Sequence, residues 1–149
     1  MKFIYDFIEY LYFKLPNNLA FTDQLTKINN RNYLERIRSK YDRKSCFVHI
    51  LDADGLKHVN DTYGHDTGDK FLIDIVKAVE DLSGILEFIR YGGDEFLVIA
   101  NRDLSGELPP VVSVGVKYKF QCELLSTAMK CADKSMYVQK NEKKLKKLE

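Results

Sequence analysis

The chain has 149 residues, the length of one domain, and at that size folding buries roughly two-thirds of the unfolded chain's surface with no disulfide or metal staple required. Apolar residues make up 45% and charged residues 30%, and 23 basic against 22 acidic side chains leave a net charge of +1. That balance makes long duplex DNA or RNA a poor first guess, while a small phosphate ligand stays open.

Residues 2–15 (KFIYDFIEYLYFKL) place Ile4, Phe7 or Ile8, Leu11 and Leu15 at helical spacing, and Pro16 ends the pattern. Tyr5, Tyr12 and Phe13 make the other face apolar as well, so this amphipathic helix needs a partner. A second copy (a dimer stalk) is preferred, then its own domain, and membrane contact is the least favoured. Asn17 and Asn18 mark a hinge, so the expected division is a helix over 1–16 and the main folded unit over 17–149. Asn30 to Tyr41 predicts a second helix. Residues 46–52 (CFVHILD) predict a central strand running into Asp52-Ala53-Asp54-Gly55, followed by an Asn/Asp/Gly-rich loop from Asn60 to Gly68. Residues 69–82 form the clearest amphipathic helix, with Phe71, Leu72, Ile75, Val76, Val79 and Leu82 inward. Between 86 and 100, two apolar runs flank Gly92-Gly93, the signature of a hairpin whose tight turn needs positive φ. Val111 to Val116 predicts another strand, and 122–140 a last helix before a lysine-rich tail. The order argues an α+β sheet with helices on one face. Cys46, Cys122 and Cys131 are odd in number and lack C-x-x-C spacing, which predicts reduced, mostly buried thiols in a cytoplasmic protein. No apolar run approaches the ~20 residues of a membrane span, and residues 1–15 lack the small-residue cleavage site of a secretory signal.

Four acids fall at strand ends or in turns: Asp52, Asp54, Asp94 and Glu95. Residues i and i+2 of a strand share a face, so Asp52 and Asp54 can point together, and a neighbouring hairpin brings Asp94 or Glu95 to them. Such an oxygen-rich cluster suits Mg²⁺, and two ions there suit phosphoryl transfer. Asp54-Gly55 and Gly93-Asp94 also read as plain turn residues, so spacing alone leaves both readings open.

The run from Asp52 to Asp69 (DADGLKHVNDTYGHDTGD), followed by Arg90-Tyr91-Gly92-Gly93-Asp94-Glu95-Phe96, resembles the GGDEF family of diguanylate cyclases. Asp23-Gln24-Leu25-Thr26 with Asn30-Arg31 resembles that family's opening signature. Ser113-Val114-Gly115 and Ala132-Asp133-x-x-Met136-Tyr137-x-x-Lys140 resemble its two closing ones. The resemblance spans about residues 22–144, with its motifs in order.

The resemblance implies a palm or ferredoxin-like fold, a mostly antiparallel central sheet flanked by helices. It implies condensation of two GTP molecules into cyclic di-GMP with release of two pyrophosphates, each subunit of a homodimer holding one GTP. By that likeness Asp52, Asp94, Glu95 and the carbonyl near Ala53 hold two Mg²⁺ (or Mn²⁺) ions per half-site, and Glu95 assists the metals or takes the 3′-hydroxyl proton. Asn60 and Asp69 match the positions that read guanine, although an acid at 69 also suits a helix N-cap or first turn. Lys57 and Lys140 match phosphate-contacting lysines. Gly92 and Gly93 let the backbone approach the ligand. His49 and His58 read as packed or exposed side chains, and His65 as shaping its loop.

Three departures stand out. The family's Arg-x-x-Asp product-inhibition positions fall here on Ser83 and Leu86, so no inhibitory site is expected. A closing Gly-Arg pair is replaced by Lys143-Lys144; Lys144 can still meet a phosphate, without the bidentate geometry of Arg. Only Asn101 to Pro110 separates hairpin from next strand where the family places a helix, which leaves one side of the sheet for the N-terminal helix or a partner to cover. A catalytically weak or silent GTP-binding and dimerisation module, or a cyclase making another cyclic dinucleotide, are the alternatives.

Overall fold

A computed structural model of the chain describes residues 20–146 and, ahead of them, Ile4 alone. The helix expected over 2–15 lies, but for that position, outside the described residues, as do the hinge and the last three residues. The elements in order are β1 (Asn29–Asn30), α1 (Arg31–Asp42), β2 (Cys46–Ala53), α2 (Leu56–Tyr63), α3 (His65–Glu80), β3 (Ile85–Arg90), β4 (Glu95–Ala100), β5 (Val112–Lys119) and α4 (Leu125–Lys146).

They form an α+β fold around a five-stranded sheet of order β1-β3-β4-β2-β5. Only β1 and β3 run parallel; β3–β4, β4–β2 and β2–β5 are antiparallel. The centre is β2, whose Asp52 stands opposite Glu95 of β4 on one side and Ser113 of β5 on the other. This register gathers the acids at one end of the sheet.

Helices cover both faces, which corrects the expectation of one. The strands β2 and β4 are apolar on both sides, with Phe96 to Ala100 all fully buried, so each face needs a cover. On one face Leu51, Ala53, Phe96 and Val98 pack with Leu72, Ile75, Val76 and Val79 of α3. On the other, Val48, Ile50, Leu97 and Ile99 pack with Leu34 and Ile37 of α1 and with Leu125, Ala128, Ala132 and Met136 of α4. Each fully buried aliphatic side chain contributes roughly 1.5–3 kcal/mol. At Gly115 the strand and α4 come so close that a Cβ would stand 1.8 Å from the Ala132 carbonyl oxygen. The first helix begins where expected: the Asn30 side chain accepts from the Asn32 and Tyr33 amides and caps it. It is tied to β3 by Glu87, which accepts from the Tyr33 and Tyr41 hydroxyls (3.0 and 2.9 Å) and from Lys40 (3.1 Å).

Three further expectations are corrected. The stretch 60–68 is not a loop. Leu56–Tyr63 is a helix entered through Gly55 (φ +80°), and Gly64 (φ +87°) separates it from α3, which starts at His65. Glycine at 55 and 64 supplies the left-handed conformation these junctions need. Asp69 therefore lies one turn inside α3, and the first-turn acid is Asp66. The hairpin is not a two-residue turn either: Tyr91 pairs with Glu95 (3.1 Å) across a three-residue tip, and neither Gly92 nor Gly93 has positive φ. The short connection after β4 leaves Tyr118 and Phe120 exposed beyond it, so among the described residues part of the sheet stays uncovered, as expected. It packs Leu104, fully buried, into the α3-side core. The Leu104 amide donates to His49 Nε2 (3.0 Å), and Arg102 donates to the Ser83 carbonyl (3.1 Å). Finally, the cysteines expected to be mostly buried are split: Cys46 is buried, while Cys122 and Cys131 are exposed.

Candidate active site

At its carboxyl end β2 delivers Asp52, buried between two strands, and the β3–β4 tip delivers Asp94 beside it. The Ala53 amide donates to the Asp94 carbonyl (2.9 Å), fixing the tip against β2. Arg90 holds the tip from the other side: its guanidinium donates to the Gly93 carbonyl (2.6 Å) and pairs with Asp23 (3.0 Å). At Gly92 a Cβ would stand 2.3 Å from Glu95 Oε2 and 3.0 Å from Glu95 Cβ, so a side chain there displaces the Glu95 carboxylate. Gly93 faces open space, with nothing within 4 Å of a Cβ built on it.

A cleft of about 450 Å³ opens between this tip and the α2–α3 pair. It is lined by Lys57, Asn60, His65, Asp69, Arg90, Gly93 and Asp94 among others. The structure thus brings the residues expected to read a base (Asn60, Asp69) and a phosphate (Lys57) to one cavity with Asp94. Lys57, Asp69 and His65 are exposed at it, and Asn60 is half-buried against Gly68, where a Cβ would stand 1.8 Å from Asn60 Oδ1. His58 is exposed; His49 is fully buried in the sheet, away from solvent.

Asp52 Oδ1 accepts from Lys140 Nζ at 2.5 Å. Burial pushes the Asp52 carboxyl above its ordinary range, the Lys140 bond opposes this, and the charges of Asp94 and Asp54 add to it. Glu95 is raised too, by burial first and then by Asp94, Asp52 and Asp133. For Lys140, burial disfavours the ammonium, but Asp52, Asp94 and Asp54 outweigh it and the net shift is upward. Among the described residues no three acidic, imidazole or thiol groups already stand at metal-holding spacing; at Asp52 an ammonium stands instead.

The second lysine of α4 in the site is Lys143. It donates to Asp54 Oδ2 (2.8 Å) and to the Pro110 and Val112 carbonyls, while Asp54 Oδ1 accepts from Ser113 (2.6 Å). Lys144, the expected phosphate contact, is exposed. Asp54 does not join Asp52 in one cluster; each has its own lysine. Four residues were not singled out by sequence reasoning: Lys143, Gly68, and the Arg90–Asp23 pair that pins the tip. Asp23 and Arg90 sit inside the quoted motifs, but 67 positions separate them.

Residues 20–107 match the family described as "Diguanylate cyclase, GGDEF domain". The chain belongs to this family. Its Gly-Gly-Asp-Glu-Phe string is thus the three-residue tip Gly92 to Asp94 and the first two residues of β4, Glu95 and Phe96. Among relatives of this GGDEF chain, the probable diguanylate cyclase DgcI of Escherichia coli (strain K12) is 29% identical over 140 residues, 83% of this chain and 32% of that protein. The chain therefore spans about a third of that relative's length. Its fold matches diguanylate cyclase SiaD of Pseudomonas aeruginosa, solved with its activator SiaC, at 28% identity and TM-score 0.70 over 93% of this chain and 66% of that one. It also matches a microbial GGDEF domain described in a novel interaction mode with bis-(3′,5′)-cyclic di-GMP, at 28% identity and TM-score 0.70 over 83% of this chain and 94% of that one. Among the described residues of this GGDEF protein, no helix is long and apolar enough to cross a membrane.

Proposed function

We propose that this GGDEF chain is a diguanylate cyclase that condenses two GTP molecules into cyclic di-GMP. The observation that carries the reading is the single cleft holding Asn60, Asp69 and Lys57 against Asp94. In it, the Asp69 carboxylate accepts from guanine N1–H and the 2-amino group, and the Asn60 amide reads the same edge; adenine presents an acceptor where Asp69 needs a donor. Lys57 and Lys140 meet the triphosphate, and the open space at Gly93 admits it.

The 3′-hydroxyl oxygen of one GTP attacks the α-phosphorus of the other. The new P–O bond forms as the α–β bridging bond breaks, pyrophosphate leaves with the bonding pair, and the hydroxyl proton passes to Glu95. The same exchange in the opposite direction closes the ring and releases a second pyrophosphate. Each protomer presents one GTP, so the reacting pair meets between two subunits. Glu95 suits proton acceptance because burial and neighbouring acids raise its basicity.

The residues fit divalent ions by donor chemistry. Asp52, Asp94 and Glu95 are hard oxygen donors; the Asp94 charge raises both Asp52 and Glu95, and Asp52 raises Glu95, a repulsion that a cation relieves. Asp52, Asp94, Glu95 and the Ala53 carbonyl would hold Mg²⁺ or Mn²⁺, two per half-site, which when bound neutralise triphosphate charge. With Lys143 committed to Asp54 and Lys144 exposed, triphosphate contacts are fewer than an Arg would give, and a high KM for GTP follows.

Pyrophosphate release per protomer tests the reading. With GTP and Mg²⁺ it is expected to rise with protein concentration, and to be lost in Asp94→Ala. A rate per protomer that is constant down to high dilution would rule out reaction between two subunits.

A further inference from the structure

The end of β2 carries two acid–lysine pairs to one face of α4, and they are not equivalent. Lys143 has three acceptors: Asp54 Oδ2 at 2.8 Å, the Pro110 carbonyl at 3.1 Å and the Val112 carbonyl. Asp54 in turn has Ser113 on its other oxygen. That pair is a fixed tie between helix and strand. Among the described residues Lys140 donates to one group, Asp52 Oδ1. The Asp52 side chain is 9% exposed and that of Lys140 26%. A carboxylate so buried stays ionised only beside a cation. A lysine with one partner and a path to water can leave, provided another anion receives it.

We propose that Lys140 is a resident counter-ion that holds a cation's place on Asp52 in the nucleotide-free protein, and that metal and triphosphate enter by exchange. The incoming divalent ion takes over Asp52 while the Lys140 ammonium passes to a phosphate. Metal alone must strip Lys140 from its acceptor and leave the ammonium unpaired. Nucleotide alone must draw Lys140 off and leave Asp52 buried without a cation. Together each supplies what the other removes, so the two ligands bind with positive coupling, and by linkage the coupling is the same whichever is bound first. The proposal rests on the reading of the cleft as a GTP site, and it adds the order and coupling of binding there. Lys143 does not take part, because its three acceptors are all protein groups that no ligand replaces.

Mn²⁺ binding to the nucleotide-free protein, followed by the electron paramagnetic resonance signal of the free ion, tests this without turnover. Lys140→Met is expected to bind Mn²⁺ at least about tenfold more tightly than wild type, and adding Asp52→Asn to it should remove the gain. Lys140→Gln repeats the test should the methionine variant fold poorly, with circular dichroism reporting the fold of each. Equal or weaker Mn²⁺ binding by Lys140→Met and Lys140→Gln, no Mn²⁺ binding by any form, or a gain that survives Asp52→Asn would each overturn the proposal. Cyclic di-GMP production by wild type, measured separately, distinguishes its failure from failure of the GTP reading.

Discussion

An alanine at position 68 would bring its Cβ to 1.8 Å from Asn60 Oδ1, 2.9 Å from Asn60 Cγ and 3.3 Å from Leu56 Cδ1. The first two atoms are the far end of a flexible side chain, so Asn60 rotates away rather than forcing α2 and α3 apart. Helix propensity favours alanine over glycine by about 1 kcal/mol, which offsets much of the remaining crowding, and the fold should survive. What is lost is the amide's position in the cleft. A hydrogen bond to a nucleobase withdrawn from a half-buried site costs about 1–3 kcal/mol, which is roughly 5- to 150-fold in affinity. Calorimetric titration with a GTP analogue carrying a methylene bridge between the α- and β-phosphorus reads this without turnover. The decisive comparison is the double-mutant cycle: Gly68→Ala should weaken binding in wild type and have almost no further effect on Asn60→Ala. An equal penalty in both backgrounds, or none in a folded Gly68→Ala protein, would refute the idea that this glycine exists to seat Asn60.

Gly115→Ala acts on stability. Its Cβ would meet backbone, the Ala132 carbonyl oxygen at 1.8 Å and the Met136 nitrogen at 2.3 Å, so α4 must lift. A cost of about 3 kcal/mol, a fall in Tm of roughly 10 °C, is expected in differential scanning calorimetry. Burial holds the His49 imidazole below its ordinary value, against the smaller upward pull of Val98 and Asp103. The unfolded chain therefore takes up the proton first, and His49 contributes stability that is present above about pH 6.5 and lost as pH falls below it. The urea midpoint of wild type should drop between pH 7 and 5 more steeply than that of His49→Gln; parallel slopes would contradict this. At the positions where the family's inhibitory site would lie, Ser83 is bonded to Arg102 and Leu86 is half exposed. Cyclic di-GMP should therefore not inhibit there, and a calorimetric titration showing tight product binding that Ser83→Ala weakens would be the contrary result.

The parts of this molecule that were legible in sequence are those whose signal is local. The apolar runs of β2 and β4 name the central strands, and acids at their ends become Asp52 and Glu95 face to face. Asn30 announces the α1 cap, and the stripe from Leu72 to Val79 announces α3. The parts that were not legible depend on neighbours distant in the chain. Leu56–Tyr63 has only Leu56 and Val59 as aliphatic residues, too few to show a period in eight positions; it is helical because it packs on α3, and Gly68 leaves room for that contact. In NRDLSGELPP a single leucine outweighs its polar surroundings, because His49, 55 positions earlier, supplies an acceptor for the Leu104 amide. Gly92 looked like a positive-φ turn residue, and is instead a space-filler's absence beside the Glu95 side chain. Lys143 rather than Lys144 faces the site because Asp54 and two carbonyls of the strand entry lie on that side of α4, a fact of helix rotation that sequence spacing leaves undetermined.

The most direct measurement is identification by mass of what purified protein makes from GTP, and separately from ATP, in the presence of Mg²⁺. The account predicts cyclic di-GMP and two pyrophosphates for each molecule formed, from GTP and not from ATP, with no product from Asp94→Ala. Protein that binds GTP yet forms no cyclic dinucleotide at any protein concentration, or that forms one from ATP, would contradict it.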